Sequence, residues 1–435
     1  MSSPAQSEIR SIASFIKANL RDYVLLISLL VILLFFQIAT STAFNGLGTV
    51  GEVLQKLAFH PIDVLTNGIT FRPVNMTNII LQNSYIIVMA LGMLLVIIAG
   101  HIDLSVGTVS GFVGGLAAIL LTGTMPFFKD SSLPFKFDAF TTGIICLALG
   151  AAIGALQGYF VAYYKIPAFI VTLAGMLIFR GLELQVLGGA SVGPFPTLFQ
   201  GLSNGYVPDV FNVTLSGGTF NVLAVIVGVL ITAALIFFNV RNRSAQMAHG
   251  LAEEPIEIFW GRNALIAVAF IGFTWLMAYY RGLPNVLVVM GLLIALFIFI
   301  TTRTTFGRRI YALGGNEKAT KLSGINTERL TFQIFTIMGA LSALGGMIYA
   351  ARLNVATPKA GQGLELDVIA ACFIGGAAVT GGVGKVMGAV IGAFIIGVMN
   401  NGMSILGVDI GWQFVIKGVV LMLAVFLDVY YKNKR

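Results

Sequence analysis

Apolar runs of about 20 residues, nearly free of charge, recur along almost the whole chain, and each is long enough to cross a hydrocarbon core of roughly 30 Å. Only 10% of the 435 residues are charged, and the 26 Lys and Arg outweigh the 18 Asp and Glu for a net charge of +8. This composition excludes a water-soluble enzyme, and it excludes intrinsic disorder because so hydrophobic a chain has ample surface to bury. The basic balance is no sign of a nucleic-acid partner, because excess Lys and Arg is expected on the cytoplasmic loops of membrane proteins. Cys146 and Cys372 both lie inside apolar segments without metal-ligand spacing, so they read as buried hydrophobes rather than a disulfide or zinc site.

Hydropathy gives twelve candidate crossings: Tyr23–Ser41, Ile79–Ala99, Leu104–Gly123, Phe140–Tyr164, Ile166–Leu187, Phe220–Val240, Asn263–Tyr280, Pro284–Thr302, Leu330–Ala351, Asp367–Thr380, Val386–Leu406 and Trp412–Tyr430. The first follows Arg10, Lys17 and Arg21, but its run is too long for a signal peptide and reads as a retained anchor. With both termini in the cytoplasm, 17 Lys and Arg fall on inner segments and 7 on outer ones, with Arg180 and Lys417 in or near spans. The expected fold is therefore an all-α polytopic membrane bundle of 10–12 spans. Residues 1–22 form a cytoplasmic segment, 23–430 a single transmembrane domain and 431–435 a cytoplasmic tail. The Asn75 and Asn212 sequons read as chance matches.

Two segments are weak as spans. Leu104–Gly123 is rich in glycine and small polar residues, and Asp367–Thr380 is short and runs into Gly375-Gly376 and Gly381-Gly382. Broken or re-entrant helices are expected there, which places both beside protein or a water-filled path rather than lipid. Glycine recurs every fourth residue at Gly107, Gly111 and Gly115, at Gly150, Gly154 and Gly158, and at Gly384, Gly388 and Gly392. Such stripes let helices approach closely, either as static packing or as surfaces that slide during gating.

In Gly100–Gly107, GHIDLSVG, an acid stands between two spans. Asp103 or Ser105 caps the following helix in one reading. In the other, Asp103 and Ser105, with Gly107 and Asn83, line a polar pathway for a hydroxylated solute. His101 reads as a satisfied interfacial residue. Gly384-Lys385 lacks the glycine and the Ser or Thr of a nucleotide loop, since Val379 and Val386 stand there, so the chain has no ATPase motif of its own. No clustered acid, base, nucleophile or metal set supports an enzyme.

The inner loop Thr301–Arg329 carries six Lys and Arg and two Glu. Asn316–Gly324 predicts a short cytoplasmic helix with Asn316 as its N-cap and Gly324 near its end. It is either a topogenic loop or a docking element for a soluble partner.

AGHIDLSVGTVSG, FGRRIYALGGNEKATKLSGI and GGVGKVMGAVIGAFIIGVMNNGMSILGV resemble, in the same order, the signature regions of the permease subunits of bacterial monosaccharide ABC importers of the ribose and xylose type. The resemblance spans about Ile79 to Tyr430, and the added apolar stretch Phe220–Tyr280 is similar to the longer xylose and multiple-sugar members. It implies an inner-membrane homodimer that imports xylose or several pentoses and hexoses by alternating access. Its implied partners are a cytoplasmic ABC ATPase that holds ATP and Mg and a periplasmic sugar-binding protein, with no cofactor in this chain. It also implies that Gly314, Gly315, Asn316, Glu317, Ala319, Leu322, Ser323 and Gly324 form the region that meets the ATPase. Lys385 stands where related sequences often have a small polar residue. A sister permease for branched-chain amino acids or nucleosides is the nearest rival, and an ion-coupled secondary transporter a more distant one.

Overall fold

The computed structural model describes residues 25–42, 52, 55–56, 60–125, 131–132, 135–211, 213–215, 218–248 and 255–433. The expected N-terminal cytoplasmic segment, the first residues of the first span, Asn212 and the last two residues lie outside them. The described residues form sixteen helices and two short hairpin pairs. In chain order they are α1 (Leu25–Ala39), α2 (Pro61–Thr66), α3 (Pro73–Ile98), α4 (Val106–Thr122), α5 (Ala139–Tyr163), α6 (Ala168–Leu187), α7 (Thr197–Gln200), α8 (Val222–Ala248), α9 (Ile256–Ala278), α10 (Asn285–Arg303), α11 (Thr305–Gly315), α12 (Glu317–Leu322), α13 (Thr327–Leu353), α14 (Leu364–Ile374), α15 (Val386–Ile405) and α16 (Ile410–Asn433). Strands β1 (Thr124–Met125) and β2 (Ser131–Ser132) pair antiparallel, as do β3 (Val213–Leu215) and β4 (Gly218–Phe220).

Eight helices among the described residues are long and apolar enough to cross a membrane: α3, α5, α6, α8, α9, α10, α13 and α15. α1, α4 and α16 hold shorter apolar stretches. Every one of the twelve hydropathic segments contains a helix, and the chain is a polytopic helical membrane protein. The eleven-residue α14 is too short to span, and α4 has 17 residues.

The chain divides into two compact units. The smaller takes residues 1–31, 41–78 and 206–284 and is built on the α8–α9 pair. There Gly228 makes room for Thr274, Asn239 Nδ2 donates to Asn263 Oδ1 at 2.9 Å, and Arg243 lies over the Phe259 ring. The larger takes residues 32–40, 79–205 and 285–435.

In the larger unit α13 is the axial helix. Its contacts with α5 run backbone to backbone, since a Cβ at Gly150 would overlap the Gly339 carbonyl and Ala343, and one at Gly154 would overlap the Phe335 carbonyl. The stripe on α5 is thus a seam. In lipid no hydrophobic drive joins helices, so this close approach supplies dispersion contact that bulkier faces cannot. α14 meets α15 the same way, with Gly388 on the Gly375 carbonyl and Gly392 on the Ala371 carbonyl. Local chemistry fixes the ends: Asp138 Oδ2 accepts from the N–H of Phe140 and Thr141 at 2.9 and 3.0 Å to cap α5, and Gly123 closes α4 at φ 75°.

Gly154→Ala should destabilise the protein by about 1–3 kcal/mol through overpacking. Gly143→Ala, on the same helix with no atom near its added methyl, should be neutral or stabilising by up to about 1 kcal/mol. Cys146 and Cys372 are buried and free, so a thiol-reactive dye reads the thermal transition of both variants directly. Equal transition temperatures would discard the seam.

Candidate translocation and coupling site

Residues 99–105 leave the helical path between α3 and α4. Ser110, in the first turns of α4, packs on Gly346, which lies past the middle of the 27-residue α13. The first turn of α4 therefore begins part-way along α13. Beside it, the Gly361 carbonyl and Glu365 Oε2 fill the space where a Cβ of Gly107 would stand. α14 thus starts at the same level as α4, and it runs toward Gly375 and the turn that packs against the end of α3. The 17-residue α4 and the 11-residue α14 bring their N-termini together inside the bundle, the arrangement that non-helical backbone at membrane depth requires when protein must satisfy it.

The loop before α4 is held by a polar cluster. Asp103 Oδ1 accepts from the N–H and the hydroxyl of Ser105, both at 2.7 Å, closing a local turn two residues long. Gln157 Nε2 of α5 donates to Ser105 Oγ at 2.9 Å, and the Leu104 N–H donates to Thr172 Oγ1 of α6 at 3.1 Å. Asp103 is 3% exposed and orders this loop through Ser105; the N-cap Ser105 itself makes no side-chain cap bond to α4.

Asp103, Ser105 and Gly107 are adjacent, and Asn83 is not with them. It sits about 22 Å up α3, given a rise of roughly 1.5 Å per residue. There Asn83 Nδ2 donates to the Ile79 carbonyl, and the residue packs into the gap left by Gly397 of α15. Gln157, Thr172, Glu183, Glu365 and Asp367 have no sequence motif. Arg180 and Lys417 do carry a signal, as cations in or near apolar segments. In the structure Arg180 Nη1 bonds Glu183 Oε2 at 2.8 Å, and Lys417 Nζ bonds Asp367 Oδ1 at 3.0 Å, with Asn400 donating to Asp367 Oδ2 at 3.1 Å.

The second group of expected residues lies on α11, α12 and their flanks. Asn316 ends α11 and caps α12, its Oδ1 accepting from the Ala319 N–H at 3.0 Å. The short helix was legible from Asn316; the amphipathic α11 before it was not. Gly314 has no room for a side chain, because its Cβ would overlap the Ile98 carbonyl and approach the Gly382 N–H, while Gly382 N donates to Ile98 O at 2.8 Å. Gly315 faces Gly382, and Tyr311 donates its hydroxyl to the Gly384 carbonyl at 2.6 Å. The ends of α3 and α11 and the α14–α15 turn therefore form one backbone-packed knot.

Lys165, in the α5–α6 turn, lies 3.5 Å from Glu317 and 3.4 Å from Glu328. Lys321 pairs with Glu328, and that carboxylate holds the ammonium above the usual lysine range. These pairs are partly exposed, so solvent screens them and they add little stability. Ser323 Oγ bonds the Thr320 carbonyl, and Gly324 turns the chain at φ 85°. Leu322, at the tip of α12, is 90% exposed. Among the described residues no His, Cys, Asp and Glu group could hold a metal.

Residues 75–425 match the family described as branched-chain amino acid transport system, permease component. The chain belongs to this family. The permease is 39% identical over 403 residues to the xylose transport system permease protein of Escherichia coli K12, covering 91% of this chain and 97% of that one. It is 39% identical over 416 residues to the xylose transport system permease protein of Haemophilus influenzae, covering 96% and 98%. It is also 34% identical over 354 residues to the ribose import permease protein of Escherichia coli K12, covering 81% and 85%. No solved structure matches the chain.

In the permease, Asp103→Asn keeps the Oδ1 acceptor and should change stability little. Asp103→Ala leaves the Ser105 N–H unpaired and its hydroxyl with only the longer Gln157 Oε1 acceptor, and should cost about 1–3 kcal/mol. Thermal unfolding in detergent compares the two, and equal losses would show that charge, not the acceptor, orders the loop.

Proposed function

We propose that this permease is the membrane subunit of an ATP-driven, binding-protein-dependent importer of monosaccharides, carrying xylose or several pentoses and hexoses. The observation that carries the reading is the similarity to two xylose permeases over nearly their full length. The ribose permease, similar over a smaller share, extends it to the wider monosaccharide class. In this reading the chain lies in the bacterial inner membrane with both termini in the cytoplasm, and two copies enclose the solute path.

ATP and Mg belong to a separate cytoplasmic ATPase, consistent with the missing nucleotide loop around Gly384-Lys385. A periplasmic binding protein delivers the sugar. Gly314, Gly315, Asn316, Glu317, Ala319, Leu322, Ser323 and Gly324 make the coupling element, and the bare Leu322 side chain supplies the apolar anchor that a partner's pocket would desolvate. Movement of α12 is passed on through the Gly314–Ile98 and Gly382–Ile98 contacts and through Lys165 to the α5–α6 turn. Those elements border the loop of Asp103 and Ser105, so a push at the cytoplasmic face reaches α4 and α14 by rigid contact and alternates access.

The test is reconstitution with the ATPase and binding protein in proteoliposomes, followed by uptake and ATP hydrolysis against xylose, ribose, glucose, leucine and a nucleoside. Stimulation by a pentose or hexose is expected, and stimulation by leucine or the nucleoside alone would remove the sugar reading. Leu322→Asp should lower sugar-stimulated ATP hydrolysis about tenfold or more, the size of a lost interface anchor. Its membrane insertion should match the unaltered chain, and a fully stimulated Leu322→Asp importer would refute the coupling role.

A further inference from the structure

At the level where α4 and α14 begin, α6 contributes two charged residues that the coupling element does not use. Glu183 is fully buried, and its Oε1 lies unpartnered against Gly111 and the Ala360 carbonyl. Glu365, in the first turn of α14, directs Oε2, also unpartnered, at Gly107. The N-cap Ser105 makes no side-chain bond to α4, whose N-terminus presents about half a positive charge to this space. At α14 the Glu365 carboxyl takes the N–H groups of Gly363 and Glu365 and leaves Oε2 without a partner. The spacing of Gly107 and Gly111 by one helical turn is what admits both carboxyl groups, since a methyl at either position would collide with one of them.

Arg180 carries this buried cluster to the surface. Its Nη1 bonds Glu183 Oε2 at 2.8 Å and the Ala360 carbonyl at 3.3 Å, and its Nη2 bonds Gln362 Oε1 at 3.4 Å. The guanidinium side chain remains 24% exposed, and Gln362 is exposed beside it. A partly exposed guanidinium at this depth is costly against hydrocarbon, and such residues face a bundle interior or a water-filled cavity. The edge formed by Arg180, Gln362 and the α14 N-terminus is therefore suited to a polar, water-filled path rather than to lipid.

We infer that Arg180, Gln362 and Glu365 form a hydroxyl-binding locus on the solute route, with Glu183 as the positioning residue that fixes the Arg180 guanidinium. The locus offers the guanidinium N–H groups that Glu183, Ala360 and Gln362 leave over, an amide and a carboxylate acceptor, donors and acceptors that can recognise adjacent hydroxyls of a polyol. The two unpartnered carboxyl oxygens are closed off by α4 here. Separation of α14 from α4 exposes them, so the same motion that opens the route presents acceptors to the solute. The naming of a sugar as the polyol rests on the proposed function above.

The experiment uses the assembled importer in proteoliposomes. Cys146 and Cys372 are buried, so a Gln362→Cys variant reports on one accessible thiol among the described residues. A charged methanethiosulfonate reagent should label that thiol during turnover, and labelling should stop uptake. Arg180→Gln should slow xylose uptake at saturating loaded binding protein by at least about tenfold, as for one lost charge-assisted hydrogen bond. Arg180→Lys should recover part of it, and both should reorder the relative rates of xylose and its monodeoxy analogues.

A thiol unreactive with and without ATP would overturn the locus. So would an Arg180→Gln variant that slows every analogue equally while melting earlier, because that marks a purely structural role. If the unaltered importer moves leucine and no sugar, yet the label at position 362 still blocks it, the locus stands on the route and the sugar assignment falls.

Discussion

Direct contact of backbone with backbone along α13 is the constraint on which the rest of the structure depends. Gly339 lies on Gly150 and Gly154, and Gly346 lies on Ser110, so α5 and α4 are drawn in to a distance that no side chain would permit. The approach fixes the rotation of each helix as well as its spacing, since Gly150 and Gly154 of α5 and Ser110 of α4 must face α13 for the backbones to touch. Once α4 is seated at that height, the non-helical loop 99–105 is enclosed by Gln157, Thr172 and α13 rather than by lipid. The first turn of α14 can then close against Gly107. A larger residue in the seam would move the broken segment, and with it every polar group that the segment satisfies.

Two kinds of charge pairing serve different ends in this bundle. Lys165, Lys321, Glu317 and Glu328 sit around α12, partly in solvent, where water and salt screen each pair. They are too weak to hold α12 in place alone, and the knot of Gly314, Ile98 and Gly382 supplies the rigidity instead. Arg180–Glu183 and Lys417–Asp367 lie deeper, with their acids almost wholly buried. Removing one partner from such a pair leaves an uncompensated charge and costs about 3–5 kcal/mol. Lys417–Asp367 joins α16 to α14, while Arg180–Glu183 lies within α6 and sets the guanidinium that bonds the Ala360 carbonyl and Gln362 ahead of α14.

Much of the architecture was readable from residue order. Twelve apolar segments became helices because span length and hydropathy are properties of contiguous residues. Leu104–Gly123 and Asp367–Thr380 stood out as weak spans because glycine and small polar residues interrupt them; the first holds the continuous 17-residue α4, and the second the short α14, which ends at Ile374 before the glycine cluster. Asn316 announced the cap of α12, as cap chemistry acts within three residues. The amphipathic α11 escaped notice because its arginines read as loop charge. The two compact units into which the chain divides follow from long-range contacts, a property that no hydropathy window carries.

Sequence by itself determined that this is a multi-pass helical membrane protein with glycine faces, two weak spans and one basic cytoplasmic element. Tertiary structure alone decided which residues meet. Asn83 went to Gly397 and left Asp103 to Ser105 and Gln157, while Arg180 found Glu183 and Gln362, and Lys417 found Asp367. The reason is geometric. A residue's neighbours inside a helix follow from its number, but its neighbours on another helix follow from the rotation and height of both, which the glycine contacts set between segments far apart in the chain.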